Sequence, residues 1–68
     1  MVSRMYEFRV DGRLPEEERD AFAGMRIEEV APGLILRGEV IDESHLYGIL
    51  AQFRTLGLDI VSARPLSE

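Results

Sequence analysis

The sequence predicts an α+β fold, a ferredoxin-like βαββαβ split sandwich in which two helices cover one face of a four-stranded antiparallel sheet. Two observations favour this fold. The predicted segments follow in the order strand, helix, strand, strand, helix, strand, and residues 5–30 and 34–64 each hold one strand–helix–strand unit. Right-handed crossovers between parallel strands then favour the interleaved sheet. A chain of 68 residues has room for a single domain, predicted over residues 1–68.

The first unit begins with a half-buried strand over residues 5–11, where apolar and polar side chains alternate. A short helix is expected next, because Pro15 suits the first helical position and the glutamates at 16–18 suit the positive end of the helix dipole. Gly24 is expected to end this helix. The strand residues predicted on the core face are Tyr6, Phe8 and Val10, and those predicted on the face without helices (the open face) are Met5, Glu7 and Arg9.

Two strands are predicted on either side of a Pro-Gly turn. Pro32 and Gly33 fit the central positions of a type II turn, which splays hairpin strands, so a loop longer than two residues is expected. The strand at 26–30 contains two adjacent glutamates, which is typical of an edge strand protected against pairing. The next strand is expected to direct Leu34, Leu36, Gly38 and Val40 to the core and Ile35, Arg37, Glu39 and Ile41 to the open face.

The second unit contains the clearest pattern of the chain. Asp42 can cap a helix, and a glycine at position 57 is the expected left-handed stop, with Leu58 folding back toward Phe53. A strand follows and is closed by Pro65. The apolar stripe of the helix has the spacing i, i+3, i+4, i+7, with Leu46, Ile49, Leu50 and Phe53.

The amino-acid composition argues against several functional classes. The formal net charge is −5, all eight bases are arginine, and an acidic chain without a basic stripe is a poor partner for nucleic acid or anionic membrane. The chain has no cysteine, which excludes disulfides and thiolate metal sites. Since no leader pattern or long apolar run is visible either, a cytoplasmic protein without a cofactor is expected.

Residues that could carry chemistry are few. His45, the only histidine, lies in the first turn of the predicted second helix. It is either an acid–base or anion-binding group or a solvated helix-start residue, and the second interpretation is favoured. No phosphate loop, dinucleotide fingerprint or zinc-binding helix pattern occurs. The sequence therefore predicts no catalytic, cofactor-binding or metal-binding residue, and an enzyme is not favoured.

The predicted open face is instead a candidate interface. It lacks the aromatic residues on which an RNA-recognition sheet stacks bases. Opposite charges, Glu7 with Arg37 and Arg9 with Glu39, are expected to pair across the two central strands. A domain this small has a marginal core, so burial of this face in a homodimer is favoured over an ordinary solvated sheet. The candidate interface residues are Met5, Ile35, Arg37, Glu39, Ile41, Val61 and Ala63.

A second candidate surface lies on the outer side of the second helix. Gly48 is predicted to be exposed in mid-helix, where glycine costs about 1 kcal/mol relative to alanine. Small residues there either permit close approach of a helix or a ligand, or are simply tolerated. The residues of this candidate ligand or partner surface are His45, Tyr47, Gly48, Ala51, Arg54 and Thr55.

The stretch "LYGILAQFRTLGLDIVSAR" resembles the helix–strand unit of ACT regulatory domains. That resemblance implies the βαββαβ order and pairing of domains around a bound amino acid. The loop in the place of the ACT ligand loop is "VDGRLP", and the resembling unit is the second one of the chain, not the first.

The C-terminal half is also similar to short actinobacterial proteins with a "HLYGLL…R(D)LGL…LVS" ending, a resemblance that implies a small stand-alone domain. The matching residues are His45, Leu46, Tyr47, Gly48, Ile49, Leu50, Arg54, Leu56, Gly57, Leu58, Ile60, Val61 and Ser62.

Three functional hypotheses follow, in order of preference. The first is a non-enzymatic domain that self-associates through the open face and acts by protein–protein contact. The second is an ACT-like sensor that binds an amino acid or another metabolite near residues 11–14 and the helix starts. The third is a small enzyme that uses His45, together with Tyr47 and Arg54.

Overall fold

Four strands and two helices follow one another along the chain in the predicted order. The structure, a computed structural model, describes residues 3–66, so the two residues at each end of the predicted 1–68 domain lie outside the described residues. The elements are β1 (Arg4–Asp11), a 3-10 helix (Glu16–Phe22), β2 (Arg26–Val30), β3 (Gly33–Val40), α1 (Glu43–Thr55) and β4 (Asp59–Pro65).

The sheet has the strand order β2-β3-β1-β4. All neighbouring strands are antiparallel, so β1 is parallel to β2 across β3, and β3 is parallel to β4 across β1. The two strand–helix–strand crossovers therefore interleave, as they do in a split βαβ arrangement. The predicted α+β class is confirmed, although the first crossover contains a 3-10 helix and departs from a regular ferredoxin-like sandwich.

The core lies between one sheet face and the two helices, and aromatic rings join the layers. Phe53 of α1 packs against Phe8 of β1, with ring centroids 5.5 Å apart, and against Phe22 of the 3-10 helix at 5.1 Å. Both helices therefore cover the same sheet face, as predicted. The buried core comprises Phe8, Val10, Leu14, Phe22, Leu34, Leu36, Val40, Ile49, Phe53 and Leu58.

The first helix is shorter and tighter than an α-helix. Pro15 has an extended backbone and precedes the helix, so the prediction that it occupies the first helical position is wrong. Phe22 is the one residue of this helix that is buried. A seven-residue helix depends on tertiary contacts for its stability, and this one buries a single side chain. It therefore remains a short 3-10 helix. Gly24, at φ +87°, follows the helix as expected.

The β2–β3 hairpin corrects a second prediction. Val30 pairs with Gly33, so the loop holds only Ala31 and Pro32 and is not longer than two residues. Gly33 belongs to β3 and not to the turn, since it pairs with both neighbouring strands. A Cβ at this position would clash with the carbonyl oxygen of Val10. This glycine is needed for close strand approach, which the Pro-Gly pattern does not reveal. The predicted edge position of β2 is confirmed.

Helix α1 has both predicted caps. The Asp42 side chain accepts a hydrogen bond from the backbone N–H of His45 at 2.8 Å. At the other end Gly57 has φ +76°, and the N–H of Leu58 donates to the carbonyl of Phe53 at 2.9 Å. This is the Schellman arrangement, which satisfies carbonyls at the end of the helix and turns the chain into β4.

Strand β4 contains an irregularity that decides which of its residues reach the open face. Val10 pairs with Ile60 and Arg9 pairs with Ser62, so Val61 is an extra residue on β4. Such a β-bulge shifts the alternation of the strand by one position. From Ser62 onward, β4 therefore has the opposite phase to the one that uninterrupted alternation predicts.

Candidate functional site

A row of four charged side chains crosses the open face from one edge of the sheet to the other. Glu7 of β1 lies directly opposite Arg37 of β3 and Arg64 of β4. Arg37 Nε donates to Glu7 Oε2 at 3.0 Å, and Arg64 Nη2 donates to Glu7 Oε1 at 2.8 Å. The row continues to β2, because Arg37 Nη1 donates to Glu28 Oε1 at 3.0 Å. We call Arg64, Glu7, Arg37 and Glu28 the charge row.

Glu7 is the centre of the charge row. Its side chain is only 15% exposed, against 35% for Arg37 and 64% for Arg64. Hydrogen bonds from Arg64 first, and then from Arg37, lower the pKa of Glu7. Hydrogen bonds to Glu28 and then to Glu7 raise the pKa of Arg37. The ion pair between Glu7 and Arg37 therefore stabilises the charged forms of both side chains.

The predicted charge pairs are half right. Glu7 with Arg37 is confirmed, but Arg9 lies opposite Ile35 and Glu39 lies opposite Met5, so these two charges do not form the predicted pair. The register separates them by four positions along the ladder. Glu39 instead accepts a hydrogen bond from Ser3 Oγ at 3.2 Å.

The register places most of the predicted interface residues on the open face. Met5, Ile35, Arg37 and Glu39 share the phase of Glu7 on β1 and β3. Ile35 is half-buried in the middle of this face, whereas Met5 is 44% exposed at its end.

Ile41 and Val61 lie outside the regular ladder. Ile41 follows the last residue of β3, where its backbone N–H donates to His45 Nδ1 at 3.0 Å. Val61 is the extra residue of the β4 bulge. Both side chains are exposed.

The prediction that Ala63 lies on the open face is wrong. Ala63 lies opposite Phe8, a core residue, and therefore belongs to the helix-covered face. The bulge at Val61 brings Arg64 to the open face in its place, where it binds Glu7. Sequence analysis missed Arg64 for this reason, and it missed Glu28 because an edge glutamate was interpreted only as protection against pairing.

His45 is engaged in the start of α1. Its Nδ1 accepts a hydrogen bond from the backbone N–H of Ile41, which leaves the proton of the neutral ring on Nε2. The ring borders two adjoining cavities of about 240 and 210 Å³ between the 3-10 helix and α1. Phe22, Ala21 and Ile49 border both cavities, whose walls combine polar and apolar surface.

The other residues of the outer helix surface do not all meet at this site. Gly48 borders the smaller of the two cavities with His45. Tyr47, Ala51, Arg54 and Thr55 are exposed and are not among the residues that line either cavity. Thr55 Oγ1 donates to the carbonyl of Ala51 at 3.0 Å, a bond within the helix. The predicted surface therefore divides into a cavity part and an exposed part.

A third cavity, of about 260 Å³, lies where the loop after β1 meets the β2–β3 hairpin. Arg19 Nη2 donates to Glu29 Oε1 at 2.6 Å at its wall. Arg19 Nε is buried and has no acceptor among the residues described. We call this the loop cavity; its lining includes Gly12, Arg13, Leu14, Glu16, Arg19, Glu29 and Leu34. Sequence analysis placed a metabolite site near residues 11–14 but did not identify Arg19 or Glu29, which reach the cavity from other elements.

Within residues 3–66, no group of three or more histidine, aspartate or glutamate side chains is arranged to hold a metal ion. No helix in this part of the chain has the length and apolarity to cross a membrane.

Comparison with known proteins gives one match. The family model described as "Domain of unknown function (DUF8691)" matches residues 5–64. No curated protein and no solved structure matches the chain significantly.

Proposed function

We propose that this chain, which belongs to the DUF8691 family of domains of unknown function, is a non-enzymatic, self-associating module for protein–protein contact. In this proposal it acts as a cytoplasmic homodimer whose two sheets meet through their open faces. The charge row on that face is the observation that carries the proposal.

The charge row makes its own part of the open face suitable for burial. Burying an unpaired charge is costly, whereas charges with hydrogen-bonded partners are tolerated. The row contains two arginines and two glutamates, and each of them binds a partner in the same chain. A second copy can therefore cover the face without leaving any of these four charges uncompensated.

Apolar side chains flank the charge row. Ile35 lies in the middle of the face, opposite Arg9 of β1 and Glu28 of β2. Met5 lies beyond Glu7 at the other end of β1 and is 44% exposed. Apolar positions around compensated charges match the mixed composition of non-obligate interfaces. A two-fold axis would bring the same residues together from both copies.

Small size also supports self-association. A domain of about 60 residues buries only roughly 60% of the surface of its unfolded chain, and oligomerisation is one of the usual supplements. The chain has no cysteine for disulfide stabilisation. An interface between two copies would bury further apolar surface.

Sedimentation equilibrium over a wide dilution range tests the proposal. We expect a dimer for the wild type and monomers for Ile35→Arg and for Met5→Arg, because each adds an unpaired charge to the open face. Ala63→Arg is the matched control: the residue lies on β4 but on the helix-covered face, so this variant should remain dimeric.

A monomeric wild type at high protein concentration would refute self-association. A stable dimer that tolerates both open-face variants would refute the choice of face. Circular dichroism of each variant shows whether the chain is folded, so that Met5→Arg decides the matter if Ile35→Arg unfolds.

The loop cavity favours a second candidate function, the sensing of a small metabolite. The cavity adjoins residues 12–14, in the region where the resemblance to ACT domains predicts a ligand loop. A thermal-shift screen with amino acids and other small metabolites tests it. A ligand that raises the melting temperature in proportion to the logarithm of its concentration would support this function. A screen in which no compound moves the melting temperature would count against it.

A further inference from the structure

We propose that the loop cavity binds a small carboxylate, which replaces Glu29 as the hydrogen-bond partner of the Arg19 guanidinium. This inference rests on the second proposed function, the sensing of a small metabolite, and is independent of the homodimer. It names the chemical class of the ligand and the side chain that recognises it.

The pairing of Arg19 is incomplete. A guanidinium presents Nε–H and Nη2–H side by side, and a carboxylate fills both with its two oxygens. Glu29 occupies only Nη2, through Oε1 at 2.6 Å. The Nε–H is buried without an acceptor among the described residues, and it is the one such side-chain atom in that part of the chain. With Glu29 in place this atom has almost no accessible surface, so a ligand can reach it only after the pair between Arg19 and Glu29 opens.

Glu29 is easy to displace. Its side chain is 71% exposed, and exposed ion pairs contribute little because water competes for both partners. Arg19 is more enclosed, with 33% of its side chain exposed. A ligand carboxylate that bonds to both Nη2 and Nε once Glu29 has moved away makes one more hydrogen bond to Arg19 than Glu29 makes now. The exchange of Glu29 for the ligand is therefore favoured by the geometry of the guanidinium.

The charged residues of the cavity lining favour a ligand with a single negative charge. Two arginines, Arg13 and Arg19, face two glutamates, Glu16 and Glu29, so the lining is neutral as it stands. When Glu29 swings out to solvent, the cavity retains one uncompensated positive charge, which a monocarboxylate neutralises. A phosphate would bring nearly two negative charges against Glu16. Leu14 and Leu34 supply the small apolar part of a lining that is otherwise polar, which suits a ligand with a short aliphatic body.

Titration of the full chain with propionate tests the proposal. The N–H signals of the arginine Nε groups are followed by NMR at constant ionic strength, and the signal absent from Arg19→Lys belongs to Arg19. We expect that signal to shift saturably with propionate. Arg19→Lys, which lacks the two-pronged donor, should weaken binding by at least about ten-fold.

Glu29→Gln gives the decisive comparison. It removes the competing carboxylate, so propionate should bind several-fold more tightly than it binds to the wild type. If the Arg19–Glu29 pair only stabilised the fold around the cavity, both variants would weaken binding. Arg54→Lys, on the exposed side of α1, is the control and should bind as the wild type does.

Three results would overturn the proposal: no saturable shift of the Arg19 signal, weaker binding in Glu29→Gln, or phosphate binding as tight as that of propionate. These results are distinct from failure of the sensing function. If a metabolite without a carboxylate raised the melting temperature, the proposed sensing function would stand. Only the proposal that the ligand is a carboxylate would then fail.

Discussion

Glu7 and Arg37 lie directly opposite each other on β1 and β3, and Arg37 Nε donates to Glu7 Oε2 at 3.0 Å. Because Glu7 also accepts from Arg64 on β4, one carboxylate joins three of the four strands. Arg37 adds the fourth strand through Glu28. The charge row thus connects both edges of the sheet on the face that no helix covers.

The first prediction concerns the acid stability of the domain. The pKa of Glu7 is lowered in the folded state, chiefly by Arg64 and then by Arg37. The resulting stabilisation is fully present above the ordinary pKa of a glutamate, roughly 4.3, and is lost as pH falls through the lower folded-state pKa. Glu7→Gln should therefore lower the melting temperature at pH 7 and leave it nearly unchanged at the most acidic pH. Thermal melts across this range measure the difference.

Glu39→Gln is the matched control for Glu7→Gln. Glu39 lies on the same sheet face, and its recorded side-chain partner is the uncharged Ser3. Because no ion pair is lost, this variant should lower the melting temperature at pH 7 by less than Glu7→Gln does. An unchanged slope in Glu7→Gln would show that the charge row contributes nothing to acid stability.

Sequence reasoning identified the Glu7–Arg37 pair because the predicted fold makes β1 and β3 antiparallel neighbours and alternation directs both residues to the open face. It misplaced Ala63 and missed Arg64 because the bulge at Val61 arises from the register between β4 and β1. No residue in "IVS" signals a bulge, so the phase of the strand could not be followed past that point.

The part that Arg19 and Glu29 play in the loop cavity could not be predicted from the sequence, for another reason. Arg19 and Glu29 are ten residues apart and lie on different elements, which only the tertiary fold brings together. The caps of α1, in contrast, depend on residues within a few positions of the helix ends. They were predicted correctly at Asp42 and Gly57.

The second prediction concerns the attachment of the 3-10 helix. Phe22 is its one buried residue and packs against Phe53. Phe22→Ala should lower the free energy of unfolding by about 3–5 kcal/mol, the usual cost of this truncation in a core. It should also release the helix, so that amide protons of residues 18–25 exchange faster than those of β1. Urea denaturation and hydrogen exchange measure the two effects.

Phe22→Leu should retain most of the stability and the protection of these amides, because it leaves a large apolar side chain in the same place. A Phe22→Ala variant as stable as the wild type would mean that the helix is held by contacts other than this ring.

The third prediction concerns the start of α1. The Asp42 side chain accepts from the backbone N–H of His45 at 2.8 Å, so Asp42→Ala leaves a helix-end donor without its cap. The expected loss is about 1 kcal/mol in the free energy of unfolding. Asp42→Asn should lose much less, because an amide oxygen accepts the same bond. Equal losses in the two variants, measured in urea, would indicate that charge and not capping stabilises the helix start.

The last prediction uses two glycines that look alike in the sequence but differ in their surroundings. A Cβ at Gly48 meets no neighbouring atom within 4 Å, whereas a Cβ at Gly33 would lie 2.0 Å from the Val10 carbonyl oxygen. Gly48→Ala should therefore raise the free energy of unfolding by about 1 kcal/mol, the difference in helix propensity. Gly33→Ala should destabilise the protein, because backbone at β1 has to move. Urea denaturation of both variants checks the signs. A destabilised Gly48→Ala would contradict the open surroundings of this position.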